Sequence, residues 1–345
     1  NRAALAKRAA PCTEPGFSCG YSCPMGEFDL IDRFFKRPVQ RADLGVGDDC
    51  ALLPARPGHQ LALSTDMLVE GRHFLSTVAP AHLGHKSLAV NLSDLAACGA
   101  EPRAFLLSLS MPRADETWLQ GFSQGLLALA DAHHCELIGG DTTQGPLNIS
   151  ITVIGDVPQG QALLRSGAQV GDDIYVSGNV GDARLALEAF RGTLSLPEAV
   201  FARCRARMEQ PTPRVALGMA LRGIATAAAD ISDGLLGDLG HILKQSRVGA
   251  QLQANACESL LACRTDMALP EHWLHTCVFS GGDDYELVFT APASKRDAVL
   301  AASSQSMTPV TRIGIVTGGN STVLLDAAGQ PVTSRFASFD HFAKD

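Results

Sequence analysis

Apolar positions recur at helical and strand spacings, in alternation, along most of the chain. Leu30 to Phe35 follows a helical apolar and basic pattern, and Gln60 to Ser64 reads as a strand running into Thr65 and Asp66. Between Ala81 and Gly99, Leu83, Leu88, Val90, Leu92 and Leu95 fall near helical spacing, which predicts one long helix. Ala104 to Ser110 predicts a strand closed by Pro112, and Asp115 to His133 a second amphipathic helix with an acid in its first turn. Glu136 to Ile138 predicts a short strand ending at Gly139-Gly140-Asp141, and the alternation from Leu147 to Val157 a long one. The polar, Gly-containing stretch 158–171 predicts a domain boundary. Beyond it the pattern predicts strands at Ile174 to Val176, Thr226 to Ala229, Tyr285 to Thr290 and Val310 to Val316. Helices are predicted after Gly181, from Pro213 to Gly223, from Leu235 to Gln245 and from Ser294 to Ser303. Strands and helices alternate in both halves, so the fold class is mixed α/β, with domains expected at 25–158 and 159–345.

Composition narrows the class. With 345 residues, 46% hydrophobic and 19% charged, the chain can build a sizeable core. A net charge of −8 argues against a nucleic-acid-binding surface. No apolar run approaches the roughly 20 residues that span a bilayer. The ten cysteines lack any CxxC pair and lie mostly in apolar or helical contexts. They read as reduced, buried side chains of a cytoplasmic protein, with a zinc site as the sharper alternative. Residues 1–24 are mildly basic without a sustained apolar segment, so we expect a poorly ordered extension ahead of Met25.

Candidate chemistry sits in five short segments that place aspartate beside glycine, serine or threonine. They are GVGDDCA with Asp48 and Asp49, Ser64-Thr65-Asp66, NLSD ending at Asp94, GGDTT with Asp141, and DISDG with Asp230, Ser232 and Asp233. Carboxylates next to hydroxyls and free backbone N–H groups are how proteins hold hard divalent cations against phosphates. No GxxxxGK[ST] or GxGxxG occurs, and none of the six lysines sits in a phosphate loop, which excludes the P-loop and protein-kinase classes. Each segment has a plainer alternative. DISDG suits a helix N-cap as well as an anion-facing turn, Asp141 a simple turn, and Asp48-Asp49 a solvated one. An aspartate at 94, within or near the end of an apolar helix, is costly unless paired or metal-bound. His73 could contact a substrate or simply pack, and Arg165 could clamp a phosphate or face solvent.

Taken in order, these motifs resemble the thiamine-monophosphate kinase family, of the superfamily that includes aminoimidazole ribonucleotide synthetase and selenide, water dikinase. GEFDLI, GVGDDCALL, STDMLVEGRHF, NLSDLAACGA, LIGGDTT, SGNVGDA, PTPR, DISDGL, SGGDDYELVF and FDHF carry the resemblance from residue 26 to 342. It implies a two-domain α/β fold whose N-terminal domain binds ATP and Mg²⁺ and pairs in a homodimer, its strands forming a barrel across the two copies. It implies direct in-line transfer of the ATP γ-phosphoryl group to thiamine monophosphate with several Mg²⁺ ions. On the matching positions, Asp49, Ser64, Thr65, Asp66, Asp94, Asp141, Asp230 and Asp233 would hold metal. Gly140, Asp141, Arg165 and Ser232 would serve ATP, and His73, Asp283 and Phe339 would surround the thiamine moiety. The chain departs from the family at Asp283, where the usual residue is Glu, at Cys98 for Met, and at Phe122-Ser123-Gln124-Gly125 for FYEG.

This chemistry asks for no general base. The acceptor is a phosphate with a second pKa near ~6, mostly dianionic at neutral pH. The obstacle is repulsion: two unit charges ~4 Å apart repel by about 4 kcal/mol at an effective dielectric of 20, and several such pairs coexist.

Overall fold

The fold is seen in a computed structural model that describes residues 26–332. The expectations for residues 1–24 and for Phe339 lie outside the described residues. α1 (Glu27–Phe34) is followed by a long loop and then β1 (His59–Val69), α2 (Pro80–Ala97), β2 (Glu101–Met111), α3 (Glu116–Ala132), β3 (Glu136–Gln144) and β4 (Asn148–Pro158). A connection over 159–171 leads to β5 (Asp172–Ser177), α4 (Asp182–Phe190), α5 (Glu198–Glu209), α6 (Val215–Ala220), β6 (Ala227–Ile231) and α7 (Leu235–Ser246). The described residues end with β7 (Gly249–Gln253), α8 (Ala254–Glu258), α9 (Glu271–Ser280), β8 (Glu286–Pro292), α10 (Arg296–Gln305), β9 (Val310–Thr317) and β10 (Thr322–Leu325).

The first sheet has the order β1-β4-β2-β3, with β2 and β3 parallel and the other pairs antiparallel. It is open in one chain, and β1 and β3 form its edges; the barrel implied by the resemblance is not closed here. One face packs on α2 and α3 through Phe105, Leu107, Leu109, Ile149, Ile151 and Val153. The opposite, outer face is partly covered by the loop after α1, whose Ala51 and Leu53 join Ala104, Leu106, Ile138 and Ile154. The second sheet has the order β10-β7-β9-β5-β8-β6.

α2 is the spine of the molecule, packing against α3, α6, β1, β4 and β6. The close approach depends on glycine. A Cβ at Gly84 would lie 2.0 Å from the Phe122 carbonyl oxygen, and one at Gly125 would lie 1.8 Å from that of Ala81. Phe122 to Gly125 is therefore a helix-packing seam. The core around α2 runs on into Ala228, Leu287 and Phe289 of the second sheet, so one apolar interior joins the two halves. Among the described residues no helix is long and apolar enough to cross a membrane.

Two strands run past their expected ends. β1 pairs with β4 without interruption from His59 to Val69, so Asp66 lies inside a strand instead of after one. β3 continues to Gln144, paired with β2, so Asp141 lies on a ladder opposite Ser108 and not in a turn. In both cases a neighbouring strand supplies the backbone partners that a single-sequence pattern cannot show. α5, β7, α8, α9 and β10 were not expected. α9 buries Leu274, His275, Cys277, Val278 and Phe279, more than one face of the helix, which erases the polar stripe that would have marked it.

Candidate active site

A cleft of about 370 Å³ opens between the two halves. Asp66 and Asp94 enter it from the first half, and Asp230, Ser232, Asp233 and Asp283 from the second. Arg72, His73, Arg184 and Arg191 complete much of its wall. α2 organises the acids. The Asn91 side-chain oxygen accepts the Asp66 N–H (3.1 Å), while Ser93 donates to the Asp230 carboxylate (2.9 Å). Ser64 donates to Asp94, in the last turn of the helix. These bonds tie β1 and β6 to a single rigid helix.

The carboxylates raise one another's pKa. Burial, then the charges of Asp94 and Asp233, push Asp66 up to about 6. Asp230 is pushed up to about 8 by burial, then by Asp94 and Asp238. Asp94 is raised by burial, against which the Ser64 hydroxyl and Arg165 work. Three acids that cannot all ionise cheaply form a site that a cation would relieve, and an all-oxygen donor set suits a hard one. They are not drawn onto one point. Among the described residues the only group with three ligand atoms within 4.8 Å of one another is Asp182, Cys204 and Cys263, buried in the second half, where the two thiols lie 3.3 Å apart.

A pH prediction arises from these shifts. A carboxyl whose pKa is higher folded than unfolded adds nothing unfavourable below the unfolded value and destabilises increasingly as pH rises toward the folded one. Without metal, the Tm contribution of Asp66 and Asp230 is expected to fall from about pH 4, near their unfolded value of 3.8, to about pH 8. Thermal scans in EDTA on the wild type and Asp66→Asn check this: the variant should show the shallower decline. Added Mg²⁺ should raise the wild-type Tm more at the higher pH; equal slopes in the two proteins would sink the idea.

The DISDG turn departs from its expectation. The N–H groups of Ser232, Asp233 and Gly234 all donate to one oxygen of Asp238, at 3.0, 3.1 and 3.1 Å. These donors are taken inside the turn and are not free for an anion. The carboxylates of Asp230 and Asp233 are what the turn presents to the cleft.

The GGDDYEL segment is bound to this turn. Asp283 and Tyr285 have φ of +72° and +53°, left-handed values that cost a non-glycine residue about 1–3 kcal/mol each. Their N–H groups donate to Ser232 O (2.8 Å) and Ile231 O (2.9 Å). Asp284 accepts the Gly181 N–H at 2.9 and 3.0 Å. Glu286, 0% exposed, accepts from Arg207, Arg214 and Ser177. Gly178 has φ +53°, and a Cβ there would lie 2.1 Å from the Glu286 carboxylate. SGNVGDA is thus the anchor of GGDDYEL.

The expected site residues divide between two places. Asp66, His73, Asp94, Asp230, Ser232, Asp233 and Asp283 line the cleft. Ser64 touches it through Asp94, and Arg165 acts on Asp94 by its charge from an exposed position. Thr65 and Asp141 point to the outer face of the first sheet, where Asp141 lines a second, 380 Å³ pocket with Ser108, Thr143 and Ser150. Gly140 lies on the β3 ladder opposite Leu107. Asp49 is exposed on the loop that covers part of the outer face, its N–H donating to Asp48. Sequence reasoning missed Lys86, Asn91, Arg184, Arg191 and Tyr285. Arg184 and Arg191 both bond to the buried Glu188, a spacing legible only once α4 is known.

The fold and its acid-lined cleft define the AIR synthase related proteins. That family's N-terminal domain matches residues 47–157 and its C-terminal domain residues 169–326. More narrowly, the chain belongs to the thiamine-monophosphate kinase family. It is 44% identical over 324 residues to the thiamine-monophosphate kinase of Salmonella typhimurium, covering 92% of this chain and 98% of that protein. The crystal structure of thiamine-monophosphate kinase from Stenotrophomonas maltophilia K279a is similar with a TM-score of 0.80 and 43% identity, covering 90% of this chain and 99% of that one. AaThiL complexed with AMPPCP and TMP gives a TM-score of 0.70 at 29% identity, covering 92% and 97%.

Proposed function

We propose that this chain transfers the γ-phosphoryl group of ATP to the phosphate of thiamine monophosphate, giving thiamine diphosphate and ADP in the cytoplasm. The observation that carries the reading is the meeting of Asp66 and Asp94 with Asp230 and Asp233 in one cleft walled by arginines. The complex of AaThiL with AMPPCP and TMP supports it.

In this reading Asp66, Asp94, Asp230 and Asp233 hold Mg²⁺, with Ser64 fixing Asp94. Bound Mg²⁺ would reverse the sign of the local field and offset the charge of the phosphates. Arg165 and Ser232 serve ATP, and His73 and Asp283 face the thiamine moiety. Arg72, Arg184 and Arg191 present guanidinium groups at the wall, suited to orienting phosphate oxygens. The acceptor oxygen carries its own negative charge, so the side chains align it and remove no proton. Asp49, Thr65 and Asp141 as metal ligands, and Gly140 toward ATP, rest on the resemblance; we place their action where a second copy covers the outer face.

A homodimer is supported by that same face. β1 is an edge strand, and its Leu61, Leu63 and Met67 are each more than half exposed. A free edge beside an apolar face favours a second sheet. In this arrangement residues 25–158 carry the dimer contact and most of the ATP and metal ligands, while 159–345 close the cleft. Sedimentation should show a dimer for the wild type and a monomer for Leu63→Glu; a monomeric wild type would remove the dimer from the proposal.

Incubation with ATP, Mg²⁺ and thiamine monophosphate tests the activity. Thiamine diphosphate is the expected product. Turnover only with another phosphorylated heterocycle would reassign the acceptor, and nucleotide binding without turnover would make the chain a sensor.

A further inference from the structure

Lys86 belongs to no motif, yet it lies on the helix that supplies Asn91, Ser93 and Asp94. Its side chain is 3% exposed. An ammonium group withdrawn from water is costly unless a carboxylate answers it. The answer comes from Asp283, 197 residues away in sequence, whose carboxylate accepts from Nζ at 2.5 Å. The Asp283 side chain remains 33% exposed, and the residue lines the cleft. Tyr285 lines the same cleft beside it. Left-handed backbone at both Asp283 and Tyr285 persists only where the surroundings dictate it. Backbone bonds to Ile231 and Ser232 pin one side of this segment, and Lys86 pins the carboxylate itself.

We infer that Lys86 is a positioning residue for the acceptor: it holds the Asp283 carboxylate on the cleft wall, where its exposed edge meets the cationic, amine-bearing thiamine moiety. This rests on the function proposed above. The ammonium group reaches the substrate through Asp283 and serves acceptor recognition, not nucleotide binding. A lysine that only stabilised the fold would shift both substrates alike, and one that bound nucleotide phosphate would shift ATP.

Steady-state kinetics on wild type, Lys86→Met, Lys86→Arg, Asp283→Asn and Lys86→Met/Asp283→Asn separate these roles. Lys86→Met should raise KM for thiamine monophosphate about tenfold or more and leave KM for ATP within about twofold. Lys86→Arg should recover part of the loss. The double variant should be no worse than Asp283→Asn alone, because the lysine acts through that carboxylate. Equal changes in both KM values, a change confined to ATP, or additive losses in the double variant would overturn the inference. Should Lys86→Met fail to fold, Asp283→Asn and Lys86→Arg decide: each must raise KM for thiamine monophosphate selectively. A wild type inactive on thiamine monophosphate overturns the proposed function and this inference together, whereas an active wild type with unselective variants overturns this inference alone.

Discussion

Asp66→Asn is expected to lower kcat/KM for phosphoryl transfer by about 10³-fold, the scale of losing one preorganised electrostatic contact to the reacting groups. The substitution keeps the shape of the side chain and removes its charge. The Asp66 N–H donates to the Asn91 side chain and the Asp66 carbonyl accepts from the Ser150 hydroxyl, so at Asp66 both bonds use backbone atoms alone and the strand should hold. Stability distinguishes loss of charge from loss of fold. Asp66 lies among carboxylates that already push its pKa up to about 6. Removing one like charge should leave the metal-free Tm unchanged or higher at neutral pH, while the Tm gain from Mg²⁺ shrinks. An active variant, or one that melts early in EDTA, would count against the metal role of this residue.

Glu286→Ala is expected to be the most damaging single change to stability. The carboxylate is 0% exposed and accepts from Arg214 at 2.6 and 2.5 Å, from Arg207 at 2.9 Å and from Ser177 at 2.6 Å. Truncation leaves two partly buried guanidinium groups without their counter-charge, a change that costs about 3–5 kcal/mol. For a chain of this size the Tm should fall by about 4–7 °C. Activity should fall with it, because Glu286 follows directly on the Asp283 to Tyr285 turn at the cleft. A Tm within about 2 °C of wild type would show that the arginines find other partners.

Much of the fold was legible because local pattern and tertiary outcome agree. α3 and β4 carry clear periodicity, and Asp115 caps α3 by accepting the Trp118 N–H at 3.1 Å. Elements that pack on several sides, such as α9, gave no such signal. The candidate site was legible as residue types. Aspartates beside hydroxyls mark NLSD and DISDG, and in the fold Ser93 and Ser64 do bond to Asp230 and Asp94. Which acids share a cleft was not legible, because that depends on strand faces. Asp66 and Asp141 sit in similar motifs, yet pairing in the first sheet turns Asp66 toward the cleft and Asp141 toward the outer face. A one-residue difference in register would have exchanged them.

The sequence by itself determined the alternation of strands and helices, the exclusion of lysine-bearing phosphate loops, and a set of acid-bearing motifs in recognisable order, all properties of neighbours along the chain. Only the tertiary structure decided that SGNVGDA anchors Glu286 and Asp284, and that Lys86 answers Asp283. The reason is distance along the chain. Lys86 and Asp283 are 197 residues apart, and the packing of α2 between the two halves brings them together.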